Sequence, residues 1–191
     1  MVREKKDKTI ILGIDPGTTV MGFGVLEVEN NRPKMLAIGV LELKKYKTHY
    51  DKLQCIFTRV LDLVDEYKPD VLAIEAPFFG KNIQSMLKLG RAQGAAMCAA
   101  LYRDVPIQEY APLKIKMAIS GTGSASKEQI SDLLKRFLKI PEKDMHLQLD
   151  ATDGLAAAYC HYLQMSSPIL PGKSTSWKAF AQQHSDRVKG L

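Results

Sequence analysis

The 191-residue chain is 46% hydrophobic and 25% charged, with a mean hydropathy of −0.14. That balance suits one folded domain and excludes wholesale disorder. The net charge of +6 sits largely at the ends, +2 in residues 1–8 and +3 in residues 165–191, so the sum alone does not define a nucleic-acid partner.

No apolar run approaches the roughly 20 residues of a membrane span. The charged opening Arg3-Glu4-Lys5-Lys6-Asp7-Lys8 has no signal-peptide core behind it. Thr9-Ile10-Ile11-Leu12-Gly13-Ile14 is a continuous apolar run, the pattern of a strand buried on both faces. It closes at the turn Asp15-Pro16-Gly17. Residues 22–29 resume strand character, and Asn30-Asn31 breaks them before a third strand from about Met35 to Leu43, completing an antiparallel meander. Leu53, Ile56, Phe57, Val60, Val64 and Tyr67 keep helical spacing, and Thr48 with Asp51 resembles a capping box at the start of that helix. Pro69 separates it from a second buried strand, Val71 to Ile74.

Residues 82–102 are expected to form a helix with Met86, Leu89, Met97 and Leu101 on one side. Its small residues from Gly90 to Ala100 suit close packing, on a dimer partner or on the sheet. Pro106 to Tyr110 reads as a strand, and Pro112 opens a short helix at a favourable first position. Gly121-Thr122-Gly123-Ser124 is a loop. Ser126 with Gln129 caps a helix carrying Ile130, Leu133, Leu134, Phe137 and Leu138, stopped by Pro141. The last helix is expected from about Asp150 to Leu163, and residues 165–191 read as a basic tail. Cys55, Cys98 and Cys160 lack metal-type spacing and read as small buried hydrophobes in a reducing compartment, so the chain is expected to be cytoplasmic. This order predicts an α/β fold: one mixed five-stranded sheet flanked by helices on both faces.

Asp15 and Glu75 each follow an apolar strand and stand at or near a proline turn. A carboxylate at the end of a buried strand is costly unless something compensates its charge. Asp150 and Asp153 share one helix face at i, i+3 spacing, although Asp150 as an N-cap with Asp153 in the first turn reads the same pattern. Taken together, two strand-end acids and a helical acid pair can hold two hard divalent cations, since oxygen ligands suit Mg²⁺ or Mn²⁺. Such a pair suits phosphodiester hydrolysis. Residues 81–127 add seven basic side chains, Lys81, Lys88, Arg91, Arg103, Lys114, Lys116 and Lys127, against Asp104 and Glu109. That local excess suits a phosphate-contacting face.

At these residues the chain resembles the RuvC family of Holliday-junction resolvases, within the ribonuclease H-like superfamily. The matching stretches are Ile11-Leu12-Gly13-Ile14-Asp15-Pro16-Gly17, Ala73-Ile74-Glu75, Lys81-Asn82, Leu87-Lys88-Leu89-Gly90, Gly121 to Ala125 with Lys127, and Asp150-Ala151-Thr152-Asp153. They lie in family order across residues 9–164, which are expected to form the nuclease domain between a basic N-terminal extension, residues 1–8, and the C-terminal tail. The resemblance implies a homodimer that binds four-way DNA junctions, makes paired symmetric nicks with Mg²⁺, and works with the RuvA–RuvB branch-migration complex in recombination and repair. It gives Asp15, Glu75, Asp150 and Asp153 metal-binding catalytic roles. Lys116 and Lys127 match basic positions near the scissile phosphate, with Lys127 also counted as catalytic. Lys81 matches a DNA-binding position, and Phe78 matches an aromatic that stacks on an opened base. Gly154 stands where the family usually has Ala, at an expected cost to helix stability of about 0.5–1 kcal/mol. Two alternatives remain at this point: an actin- or sugar-kinase-like ATP phosphotransferase, from Asp15-Pro16-Gly17-Thr18-Thr19, and a non-catalytic DNA-binding module on the same scaffold. A related nuclease cutting RNA–DNA hybrids is a further reading, disfavoured by Phe78 and the loop lysines.

Overall fold

The computed structural model describes residues 8–77, 82–140 and 149–166. Five strands, β1 (Lys8–Asp15), β2 (Val20–Glu29), β3 (Arg32–Glu42), β4 (Val71–Glu75) and β5 (Ile107–Tyr110), form one sheet in the order β3-β2-β1-β4-β5. β1, β2 and β3 make the antiparallel meander, while β4 and β5 run parallel to β1. The mixed sheet is therefore as expected, with β2 and β3 each starting two or three residues earlier than their patterns indicated.

Alternation along the strands divides the core in two. Ile10, Leu12 and Ile14 of β1 pack with Leu72 and Ile74 of β4 beneath α1 (His49–Tyr67) and α2 (Ile83–Leu101). Ile11 and Ala73 face the other way, under α3 (Pro112–Ser120), α4 (Lys127–Leu138) and α5 (Leu149–Ser166). Thr48 and Ser126 both complete capping boxes, with Asp51 and Gln129 respectively, so α1 and α4 start where their sequences indicate.

α5 lies on the sheet at backbone distance. A Cβ added at Gly24 would come within 2.6 Å of Leu155 Cα, and one added at Gly154 would come within 2.6 Å of Gly22 C and Phe23 Cα. Gly154 is thus fixed by close approach, which corrects its reading as a mere weakness of the helix. α5 also extends to Ser166, past the expected end at Leu163. Its last turns are tied to the β2–β3 turn, where Tyr162 Oη donates to the Asn31 carbonyl at 3.1 Å and Ser166 Oγ donates to Asn31 Oδ1 at 2.7 Å.

α2 turns its small residues inward, which settles the two packings open from sequence in favour of α1 and the sheet. Ala92, Gln93, Ala96, Ala99 and Ala100 are its buried residues, whereas Ile83, Leu87 and Leu101 are exposed. Small side chains let α2 approach α1 and the sheet closely, and that packing outweighs burial of larger groups farther out. Cys160 is buried and Cys55 half-buried, but Cys98, on the outer side of α2, is exposed, contrary to expectation. No helix among the described residues is long and apolar enough to cross a membrane. The N-terminal extension before Lys8, residues 141–148 with Pro141, and residues 167–191 lie outside the described residues.

Candidate active site

Strand alternation decides where the two strand-end acids project. Asp15 follows Ile11 and Gly13 in phase, and Glu75 follows Val71 and Ala73, so both belong to the α5 face of neighbouring parallel strands. α5 crosses that end of the sheet because its first turn rests on the last rung of β1 and β2, Asp15 opposite Gly22. A Cβ on Gly22 would collide with the Asp150 carbonyl oxygen. Asp153 is thereby carried to the mouth of the cleft beside Asp15 and Glu75. Asp150 sits within the first turn of α5 rather than before it.

A cleft of about 280 Å³ is lined by Asp15, Glu75, Asp153, Lys116 and Lys127, with Pro16, Pro112, Ile115, Ile130 and Ala156 as its less polar walls. Lys127 is the first residue of α4 after the Ser126 cap, so its ammonium is aimed from a fixed helix start. It is hydrogen-bonded to Asp153 and lies 3.5 Å from Asp150 Oδ1. Lys116 approaches from α3. The loop joining α3 to α4 is held by Ser120, whose Oγ donates to the Lys116 carbonyl at 2.8 Å and accepts from Thr122 N at 3.3 Å.

The electrostatics are those of a site short of positive charge. Burial, then the charge of Asp153, raises the Asp15 carboxyl to about 7, with Lys127 pulling the other way. Burial, then Asp15 and Asp153, raises Glu75 to about 8 against the opposing Lys127 and Lys116. Asp153 is also raised, chiefly by burial, despite its hydrogen bond from Lys127. Burial favours the neutral form of Lys127, but its bond to Asp153 and the surrounding carboxylates outweigh this and raise its pKa. Among the described residues, no three Asp, Glu, His or Cys side chains are gathered closely enough to hold a metal ion as they stand. Lys127 occupies the space between Asp150 and Asp153, and the Asp150 side chain stays half exposed at the rim. The donor set nevertheless fits a hard divalent cation. It is all oxygen, and burial with the neighbouring carboxylates raises Asp15 to about 7 and Glu75 to about 8, a cost that a bound cation would relieve.

Of the residues singled out from sequence, Asp15, Glu75, Asp153, Lys116 and Lys127 share the cleft, and Asp150 meets them through Lys127. Phe78 and Lys81 lie outside the described residues. Gln93 escaped the sequence reading. It is buried on α2 and donates from Nε2 to the Glu75 carbonyl at 3.3 Å and to Glu109 Oε2 at 2.9 Å, tying the end of β4 to α2 and β5. Its signal was a lone amide in a run of alanines and glycines.

A mixed sheet in this order, with acids ending its two adjacent parallel strands and an acidic helix laid across them, defines a nuclease of the ribonuclease H-like class. The model of the crossover junction endodeoxyribonuclease RuvC family matches residues 11–161. The chain is 60% identical to the crossover junction endodeoxyribonuclease RuvC of Bacteroides fragilis, over 99% of this chain and 100% of that protein. It is 55% identical to that of Porphyromonas gingivalis, over 94% of this chain and 97% of that protein. Among solved structures, Thermus thermophilus RuvC in complex with Holliday junction substrate aligns with a TM-score of 0.75 and 28% identity, covering 82% of this chain and 94% of that one. The chain therefore belongs to the RuvC family of crossover junction endodeoxyribonucleases, hydrolases acting on DNA, and that membership implies use of a divalent metal. Neither the phosphotransferase nor the non-catalytic alternative finds support in these matches.

Proposed function

We propose that this chain resolves Holliday junctions by Mg²⁺-dependent hydrolysis of phosphodiester bonds. It acts as a homodimer that nicks two strands symmetrically and leaves 5′-phosphate and 3′-hydroxyl ends. The observation that carries this reading is the convergence of Asp15, Glu75 and Asp153 with Lys116 and Lys127 in one cleft at the carboxyl ends of β1 and β4.

Asp15, Glu75, Asp150 and Asp153 would hold two Mg²⁺ ions, with Mn²⁺ able to replace them. Bound there, such a pair supplies a more acidic water and stabilisation of the leaving oxygen. The protein's own groups do the rest. Lys116 and Lys127 balance negative charge as it grows on the phosphate, an effect strengthened where water is scarce. Ile115, Ile130 and Ala156 limit water at the cleft wall. Gln93 holds the Glu75 backbone, which keeps that carboxylate in line with Asp15. Phe78 and Lys81 contribute base stacking and backbone contact at the opened crossover, where stacking on an aromatic stabilises an unpaired base by about 1–3 kcal/mol. RuvA and RuvB are the proposed partners, and the cytoplasm the proposed compartment. Residues 9–164 act as the nuclease domain, with the two basic ends outside it.

Asp15→Asn tests the assignment. It is expected to abolish Mg²⁺-dependent nicking of a four-way junction while junction binding, followed by gel shift, persists. Nicking at the wild-type rate would remove Asp15 from the chemistry. Loss of binding in a folded variant would contradict its restriction to metal binding and catalysis.

A further inference from the structure

Not all of the basic surface is absorbed by the catalytic cleft. Lys116 and Lys127 reach it from α3 and α4, on one face of the sheet. Lys88 and Arg91, which belong to the same basic stretch of sequence, lie on α2, on the other face. They are one helical turn apart and both exposed. Across from them is His49, the first residue of α1, and one turn further along α1 is Lys52.

The topology brings this group to the active-site end of the molecule. α1 runs back into β4, so its start lies where β4 ends, and α2 starts at that same end. Two hydrogen bonds secure the placement. Lys52 Nζ donates to the carbonyl of Thr18, three residues after Asp15, at 2.9 Å, and Gln93 of α2 donates to the carbonyl of Glu75. Both helices carrying these cations are thus bonded to segments that carry the catalytic carboxylates.

Among the described residues, no carboxylate forms an ion pair with Lys52, Lys88 or Arg91. Burial, followed by the charges of Arg91, Lys88 and Lys52, keeps the His49 imidazole below its ordinary range. Among the described residues, His49 Nε2 is buried with no hydrogen-bond partner. Three cations near a neutral ring make a positive patch that an anion would complete. Lys52 spends one of its three donors on Thr18 and keeps two.

We propose that Lys52, Lys88 and Arg91, gathered around His49 where α1 and α2 approach the ends of β1 and β4, form a second phosphate-binding rim. It grips the DNA backbone across the cleft from Lys116 and Lys127. The scissile strand then lies between two basic walls, one on each face of the sheet, and the duplex arm leading into the cleft is held on the α1–α2 side. This rests on the junction-nuclease reading above, because the anion it names is the backbone of that same substrate.

The test is equilibrium binding of a labelled four-way junction in EDTA, measured from low to physiological salt, for the full chain and two double variants. Replacing Lys88 and Arg91 together by Gln is expected to weaken binding by about tenfold at physiological salt. It should also flatten the slope of log K against log salt by about two, since each phosphate no longer neutralised removes close to 0.9. Lys88→Arg with Arg91→Lys should retain both slope and affinity, since a phosphate reads charge. An unchanged slope in the Gln pair overturns the rim. Equal loss in the Gln pair and the charge-conserving pair assigns these residues to packing and overturns it as well. If the wild-type chain itself fails to bind the junction, the function falls and the rim with it. If the wild type binds steeply with salt and the Gln pair matches it, only the rim falls.

Discussion

At the carboxyl ends of β1 and β4, burial raises Asp15 to about 7 and Glu75 to about 8, and neighbouring carboxylates add to both shifts. Both native values exceed the ordinary carboxyl range, so between about pH 4 and pH 8 the folded state binds more protons than the unfolded chain. These two groups therefore stabilise the fold fully below about pH 4, and that contribution is lost as pH rises through 7 and 8. His161 acts in the opposite sense. Its imidazole is held low by burial and is hydrogen-bonded to Tyr110 Oη at 2.7 Å, so it destabilises the fold as pH falls below about 6.5 and is silent above. From pH 6.5 to 8.5 the low-held imidazoles of His161 and His49 and the raised Cys160 thiol contribute little, so the carboxylates dominate the pH dependence. Metal-free protein in EDTA is expected to melt lower at pH 8.5 than at pH 6.5. Asp15→Asn should raise the pH 8.5 melting temperature by on the order of 10 °C, since a carboxyl raised from 3.8 to about 7 costs about 4 kcal/mol when ionised and 1 kcal/mol moves a domain of this size by roughly 2–4 °C. Mg²⁺ should then stabilise the wild type more than the variant. Thermal melts that show no gain from Asp15→Asn would mean the site is neutralised by something other than a metal.

Among the elements, α5 determines whether the acids meet, and Gly154 determines how closely α5 lies on the sheet. By helix propensity alone Gly154→Ala should stabilise, by up to about 1 kcal/mol. The added Cβ would instead stand 2.6 Å from the backbone of Gly22 and Phe23, atoms that cannot rotate aside. Overpacking of this kind costs about 1–3 kcal/mol. Gly154→Ala is expected to lower stability in urea melts and to slow nicking, because α5 must lift and take Asp150 and Asp153 with it. Gly90→Ala on α2, where an added Cβ meets nothing within 4 Å, should leave stability equal or higher. A stabilised Gly154→Ala would show that α5 lifts without cost. The contrast also marks how far sequence reasoning reached. Strand-end acids and the capping boxes of Thr48 and Ser126 were legible because each is written within one short segment. The glycine notch was not, because Gly22 and Gly154 acquire meaning only once β2 and α5 are in contact. The packing of α2 was left open for a related reason: its small residues suit a partner or the sheet equally, and only the gap beneath α2, which admits alanine, decides between them.

For the whole molecule, the sheet separates two helical layers, and the described chain presents one acidic cleft at one end of it. A four-way junction has two equivalent strands to cut, so the paired cleavage proposed for this chain would require two copies related by a two-fold axis, each presenting its own Asp15. The cleft is assembled from β1, β4, α3, α4 and α5 of a single chain, so a protomer inactivated at Asp15 should not impair the chemistry of its partner. Wild-type and Asp15→Asn protein, mixed equally and allowed to exchange subunits, should give about half hybrid dimers if pairing is random. Each hybrid should place one nick and leave the opposite strand intact. A cruciform plasmid separates the outcomes: paired nicks within one binding event yield linear DNA, and a single nick yields the open circle. Open circles are expected to accumulate in the mixture, in proportion to the hybrid fraction, while wild type alone gives linear product. If the mixture gives linear product at half the wild-type yield with no open circles, the two cuts are not divided between two subunits, and the symmetric-dimer mechanism fails.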